Sequence, residues 1–159
     1  MKILLAVDGS PCSDAATEEV AWKLLPAGSE IKILSVVEPV VEPMTQPWTV
    51  PDNYYQQMED FAQSRAQQSI IKAEERLKSA ETKGLQVTTE IVNGFPKEAI
   101  IDEADRWVAD LIVVGSHGYR GITRFLIGSV SQAIASHANC SVEIVRCRQA
   151  PAAEKKTPG

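Results

Sequence analysis

Between residues 111 and 131 the chain runs through three kinds of sequence in quick succession. An apolar run, Leu111-Ile112-Val113-Val114, leads into Gly115-Ser116-His117-Gly118. After a gap of nine residues, Gly128 opens the hydroxyl-rich segment Ser129-Val130-Ser131. The apolar run is too short for a helix and apolar on both faces, which suits a strand in a sheet covered on both sides. Glycines let the backbone approach a ligand closely. The segment from Ser129 reads as the start of a helix, whose first N–H groups lack internal partners and favour an anion. Strand, glycine loop and helix N-terminus in series make a phosphate cradle, to which Ser129 and Ser131 add hydroxyl donors.

The rest of the chain repeats the alternation. Lys2 to Val7 is a β-branched and apolar run bounded by Asp8-Gly9-Ser10, and Ser10-Pro11 reads as an N-cap followed by proline in the first helical turn. A helix is expected from Pro11 to Leu25, with Ala16, Val20 and Leu24 inward and Pro26 ending it. Glu30 to Val37 reads as a second strand. Residues 38–52 carry Pro39, Pro43, Pro47 and Pro51 around Met44 and Trp48, a long irregular loop of the kind that forms a lid, a partner surface or simply docks its Trp48 on the domain. A long amphipathic helix follows, Asn53 to Lys83, with Met58, Phe61, Ala62, Ala66, Ser69, Ile70, Ala73, Leu77 and Ala80 on one stripe and charges on a solvated face. Gln86 to Val92 is a more polar strand, suited to a sheet edge. Pro96 to Trp107 is a helix and Leu111 to Val114 a strand. Ser129 to Ala138 is the last helix and Ser141 to Cys147 the last strand. Residues 149–159 read as a disordered tail behind a single domain of residues 1–148.

Alternating strands and helices imply a parallel sheet with helices on both faces. Ligands of such sheets bind beyond the carboxyl ends of the strands, where the winding reverses. If the first and fourth strands are neighbours, Asp8-Gly9-Ser10 and Gly115-Ser116-His117-Gly118 meet there.

The chain has 159 residues and a net charge of −5, which gives no reason to expect nucleic acid as a partner. No apolar run approaches the ~20 residues that span a bilayer, and the N-terminal run is too short for a signal peptide, so a cytoplasmic protein is expected. The three cysteines, Cys12, Cys140 and Cys147, are odd in number and lack a C-x-x-C pair. That argues against a disulfide framework or a zinc site. Apolar filler at Cys140 and ordinary thiols at the other two are preferred to a redox role. His137, near a helix end, reads as a surface residue favoured by the helix dipole.

The loop lacks the Gly-Lys-Ser/Thr end of a Walker motif and the tight G-x-G-x-x-G of a dinucleotide fold. Its positive charge comes from Arg120 and Arg124. The spacing of Gly115, Gly118, Gly128 and Ser129, with Val7-Asp8-Gly9-Ser10 and Asp110-Leu111-Ile112-Val113-Val114, resembles the universal stress protein family over nearly the whole chain. The resemblance implies a Rossmann-like, three-layer α/β/α fold with a five-stranded parallel sheet, order 3-2-1-4-5, and four helices. It implies the subfamily that binds ATP, with magnesium or manganese able to accompany the triphosphate. It also implies a homodimer paired through the last strand, residues 141–147, although Ser141 stands where the family often has proline and Glu143 interrupts the strand.

Carried over residue by residue, Asp8 would contact ribose and adenine, with Gly9 and Ser10 beside it. Backbone groups of Val36 and Val37 would hold the adenine edge. Val114, Gly115, His117, Gly118, Arg120, Gly128, Ser129, Val130 and Ser131 would line ribose and phosphates. Plainer readings stand beside these: Asp8 capping a turn, His117 a solvated loop residue, Ser129 a helix N-cap. The function expected is an ATP-binding regulatory, stress-response module. The alternatives are a slow ATPase or self-phosphorylating enzyme acting on Ser129 or Ser131, and an interaction protein docking an unidentified protein partner through residues 38–52.

Overall fold

The structure is a computed structural model that describes residues 1–40, 53–79, 84–118 and 127–147. The elements follow in the order β1 (Lys2–Ala6), α1 (Pro11–Trp22), β2 (Glu30–Val37), α2 (Tyr54–Ser79), β3 (Gln86–Asn93), α3 (Pro96–Trp107), β4 (Leu111–Gly115), α4 (Ser129–His137) and β5 (Ser141–Val145). All strands pair in parallel, in the order β3-β2-β1-β4-β5. The polar third strand lies at an edge, as its composition implies.

Strand periodicity divides the core. Ile3, Leu5, Ile31, Ile33, Leu111 and Val113 face one way and pack with Ala16 and Val20 of α1 and Ile70, Ala73 and Leu77 of α2. Leu4, Leu34, Ile112 and Val114 face the other way, toward Ile100 and Ala104 of α3 and Ile134 of α4. Successive strand residues point to opposite faces, so central strands apolar on both sides require both helical layers. The tripeptide Ile3-Leu4-Leu5 is wholly buried and serves both halves of the core.

Two helical expectations are corrected. Helix α1 stops at Trp22, with Lys23 extended as its C-cap. Leu24 therefore leaves the helical phase and is fully exposed, while Leu25 packs on the core in its place. On α2, Met58 and Phe61 are exposed and burial begins only at Ala66. Arg65 lies beside Asp8, which follows the end of β1. Burial on α2 thus begins at the turn that reaches the end of β1.

The last strand ends at Val145 rather than Cys147. Glu143 does not break it: its carboxylate lies 2.9 Å from the Lys23 ammonium, which fastens β5 to the end of α1. The tail, the loop over 41–52 and the last residues expected for the long helix lie outside the described residues.

Candidate functional site

Strands β1 and β4 are neighbours, so the loops after them meet at the carboxyl end of the sheet. The junction is built from short side chains and backbone. Ser10 is 1% exposed and caps α1, its Oγ accepting from Ser13 N at 3.2 Å. The same hydroxyl donates to the His117 carbonyl at 3.2 Å. One serine thus fixes the start of α1 and holds the β4 loop against it. Asp8 closes an Asx turn, its Oδ1 accepting from Ser10 N at 2.9 Å. Gly9 completes that turn at φ +79°, and a Cβ there would lie 2.7 Å from Ser69 Oγ of α2.

The loop glycines are required by close approach. A Cβ on Gly115 would lie 2.5 Å from the carbonyl carbon of Cys12 and 2.7 Å from Ser13 N. This glycine serves the packing of β4 against the first turn of α1. A Cβ on Gly118 would lie 2.9 Å from Asp8 Oδ2, so this glycine lets the loop lie close against the carboxylate. A Cβ on Gly128 would lie 3.2 Å from the Ser116 carbonyl, which already accepts Gly128 N at 2.8 Å. The two ends of the glycine loop are thereby pinned side by side.

Helix α4 begins here. Its N-cap is Gly128, with no side-chain capping bond, so Ser129 is the first helical residue and not the cap. The first intrahelical bond is Gln132 N to Gly128 O, and the amides of Ser129, Val130 and Ser131 have no helical carbonyl ahead of them. Ser129 is exposed beside them. Ser131 is buried, and its hydroxyl donates to the Gly115 carbonyl at 2.7 Å. Its single proton is thus used within the fold, and toward a ligand its side chain can only accept. Val114 and Val130 turn their side chains into the α3–α4 half of the core and present only backbone to the junction.

His117 Nδ1 lies 3.1 Å from Ser116 Oγ, and its Nε2 is buried with no hydrogen-bond partner among the described residues. Strand β2 runs past β1: Ala6 and Leu34 are the last pair, so Val36 and Val37 border the junction with no β1 residue opposite. The Val37 carbonyl is taken by Gly94 N at 3.0 Å. Arg120 and Arg124 lie outside the described residues.

Three features escape the sequence reading. The Arg65 guanidinium reaches to 3.5 Å of the Asp8 carbonyl oxygen and brings a positive charge to the site from α2. Its position four residues before buried Ser69 on the inward stripe was the available signal. Ser13 Oγ accepts from Asp8 N at 3.3 Å. The cysteine expectation is overturned: Cys12 and Cys147 form a disulfide across 135 residues of sequence. Only the β1–β4–β5 order brings the first turn of α1 over the end of β5, which no spacing rule reveals. Cys140 remains a free, partly buried thiol.

A family model described as the universal stress protein family matches residues 1–146. Universal stress protein YxiE of Bacillus subtilis is 32% identical over 148 residues, covering 91% of this chain and 98% of that protein. Among solved structures, universal stress protein UspA from Lactobacillus plantarum superimposes with a TM-score of 0.74 at 25% identity, over 92% of this chain and 97% of that one. A universal stress protein described as in complex with cAMP superimposes with a TM-score of 0.66 at 24% identity, over 93% and 98% of the two chains. The five-stranded order and four helices agree with these folds, and the chain belongs to the universal stress protein family.

Proposed function

We propose that this protein is an adenine-nucleotide-binding regulatory module whose ligand is ATP. The observation that carries the reading is the meeting of the β1 and β4 loops at the carboxyl end of the sheet, beside the first amides of α4, which have no helical carbonyl ahead of them. A side chain on Gly118 would crowd the Asp8 carboxylate, whose Oδ2 lies 2.9 Å from where its Cβ would be. The three amides and the exposed Ser129 hydroxyl suit a phosphate group, and the Asp8 carboxylate suits a hydroxyl donor such as a ribose. Arg65 supplies a compensating cation, and the backbone of Val36 and Val37 borders the same junction, where a base edge would lie. The complex of a related fold with cAMP supports the adenine nucleotide as the ligand class.

Asp8 and the Ser129 hydroxyl would orient ribose and phosphates. A divalent cation travelling with the triphosphate would be held mainly by phosphate oxygens and water. The reading places the protein in the cytoplasm, and no helix of the described residues is long and apolar enough to cross a membrane. It also pairs two copies through the free edge of β5, the terminal strand of the sheet.

The test is calorimetric titration of nucleotide-stripped protein with Mg–ATP, with GTP, AMP and cAMP alongside. Saturable binding of ATP with the others weaker is expected. Gly118→Glu should abolish binding while circular dichroism and the thermal transition stay in place. Unchanged affinity in that variant would exclude the site.

A further inference from the structure

We propose that Cys12 and Cys147 form a reversible thiol–disulfide exchange site for small-molecule thiols and disulfides of the glutathione type, whose redox state sets the geometry of the Gly115–Gly118 loop and so the affinity for nucleotide. The coupling to nucleotide rests on the function proposed above; the exchange and its effect on the loop do not.

Position carries the inference. The disulfide joins the second residue of α1 to the second residue after β5 and passes beside the start of the glycine loop. Cys12 contacts that loop twice without slack. Its backbone lies where any Cβ on Gly115 would have to be, and its sulfur takes the Ser116 hydroxyl at 3.7 Å. On the other side, the Val145 carbonyl, two residues before Cys147, accepts Ser116 N at 2.7 Å. The loop is therefore held between the two chain segments that the disulfide ties together. Unbonded sulfurs move apart to van der Waals contact. Because Cys12 backbone already abuts Gly115, that separation displaces Gly115 and Ser116, and with them the His117 carbonyl that Ser10 holds.

The exchange chemistry suits the two environments. Cys12 is buried and Cys147 partly exposed, so an incoming thiolate RS⁻ reaches the Cys147 sulfur. An S–S bond forms between R–S and Cys147, the Cys12–Cys147 bond breaks, and its electron pair leaves on the Cys12 sulfur, which takes a proton from solvent. The departing charge develops in the first turn of α1, where the helix N-terminus favours it. A second RS⁻ attacks the R–S sulfur of the mixed disulfide and releases Cys147 as the thiol. The protein disulfide plus two RSH becomes the dithiol plus RSSR, and the reverse reaction uses RSSR as oxidant. Cys140 does not compete: burial, helped by nearby Asp105, pushes its thiol up and keeps it protonated. Disulfides in reducing compartments are mostly transient and redox-sensing.

The experiment poises the full-length protein across glutathione/glutathione-disulfide ratios, traps thiols by alkylation and counts them by peptide mass. Each poised sample is also titrated with Mg–ATP and followed by amide hydrogen exchange at residues 115–118 and 128–131. Cys12 and Cys147 should change together, with Cys140 alkylated throughout. The reduced form should bind ATP about tenfold more weakly and exchange its loop amides faster. Cys147→Ser should match the reduced protein at every ratio. A pair that stays bonded in excess dithiothreitol, or stays reduced in glutathione disulfide alone, overturns the exchange site. Equal loop exchange in both forms overturns the coupling even if Cys147→Ser fails to fold, because reduced wild type supplies the comparison. Equal ATP affinity, with loop exchange changed, overturns the link to nucleotide. If ATP binds neither form while loop exchange still follows the thiols, the nucleotide reading fails and the redox site stands.

Discussion

On the α3 side of the sheet, Glu103 is 4% exposed and lies against the Lys32 ammonium at 2.6 Å and the Arg106 guanidinium. Lys32 also reaches Glu90 at 3.1 Å and stands over the Trp107 ring at 5.1 Å. At the carboxyl end of β1 and β4, by contrast, most contacts run through amides, carbonyls and hydroxyls, even where Asp8, His117 and Arg65 take part, and the close approaches require glycine. In the first region side chains answer one another, charge against charge. In the second, backbone holds backbone, and glycine stands where a Cβ would meet Cys12 backbone or the Asp8 carboxylate. A closed charge cluster fixes a fold and offers nothing to a ligand. A junction made of glycine contacts fixes the fold and leaves the first amides of α4 with no helical carbonyl ahead of them.

Substitutions should separate the two regions by what they damage. Lys32→Ala removes one counter-charge from a buried carboxylate and should lower unfolding free energy by about 3 kcal/mol, with ATP affinity unchanged. Chemical denaturation and calorimetry on the same sample check both halves, and a loss of affinity matching the loss of stability would break the contrast. Gly115→Ala forces a methyl group against Cys12 backbone that cannot turn away, and should cost about 2 kcal/mol as well as weakening ATP binding. Gly118→Ala meets only the end of the Asp8 side chain, which can rotate. Its stability should change by less than ~0.5 kcal/mol, while ATP affinity falls about tenfold. Reversed rankings for the two glycines would show that Gly118, too, serves packing.

The smallest effect concerns pH. Burial alone would raise the Glu90 carboxyl, but the hydrogen bonds from Lys32 and Arg106 outweigh it and hold the group below its ordinary value of 4.5. A carboxylate depressed in the folded state adds stability above its unfolded value, and loses it as pH falls through the folded one. Stability measured by urea denaturation should therefore decline below about pH 4.5. Glu90→Gln should be less stable than wild type by about 0.5 kcal/mol at pH 7, and the difference should vanish in stronger acid.

How much of this was legible beforehand depended on the range of the physics involved. Ile3-Leu4-Leu5 and Leu111-Ile112-Val113-Val114 announced strands buried on both faces because side-chain alternation is a local property. Ser10-Pro11 announced the start of α1 for the same reason. The end of α1 was misplaced because Leu24 continues the helical spacing while the backbone has already turned extended at Lys23. Met58 and Phe61 fit the stripe of α2, but a stripe does not show where the sheet beneath it stops. The glycine spacing located the loop. It did not show that Gly115 meets Cys12 backbone and Gly118 the end of the Asp8 side chain, since that difference lies in which chain segment faces each one.

By itself, then, the sequence determined the elements, their alternation and the polar edge strand. It also determined a glycine loop between a buried strand and a helix start, because capping, periodicity and turn chemistry act over a few residues. Only the tertiary structure decided that Ser10 bonds the His117 carbonyl, that Ser131 spends its proton on Gly115, and that Arg65 reaches the site. It alone paired Cys12 with Cys147. The first, second and last depend on β1 lying beside β4 and β5 beyond it, and the Arg65 contact on α2 packing over β1 and β2, so that groups more than fifty residues apart meet, or a nearby hydroxyl turns inward.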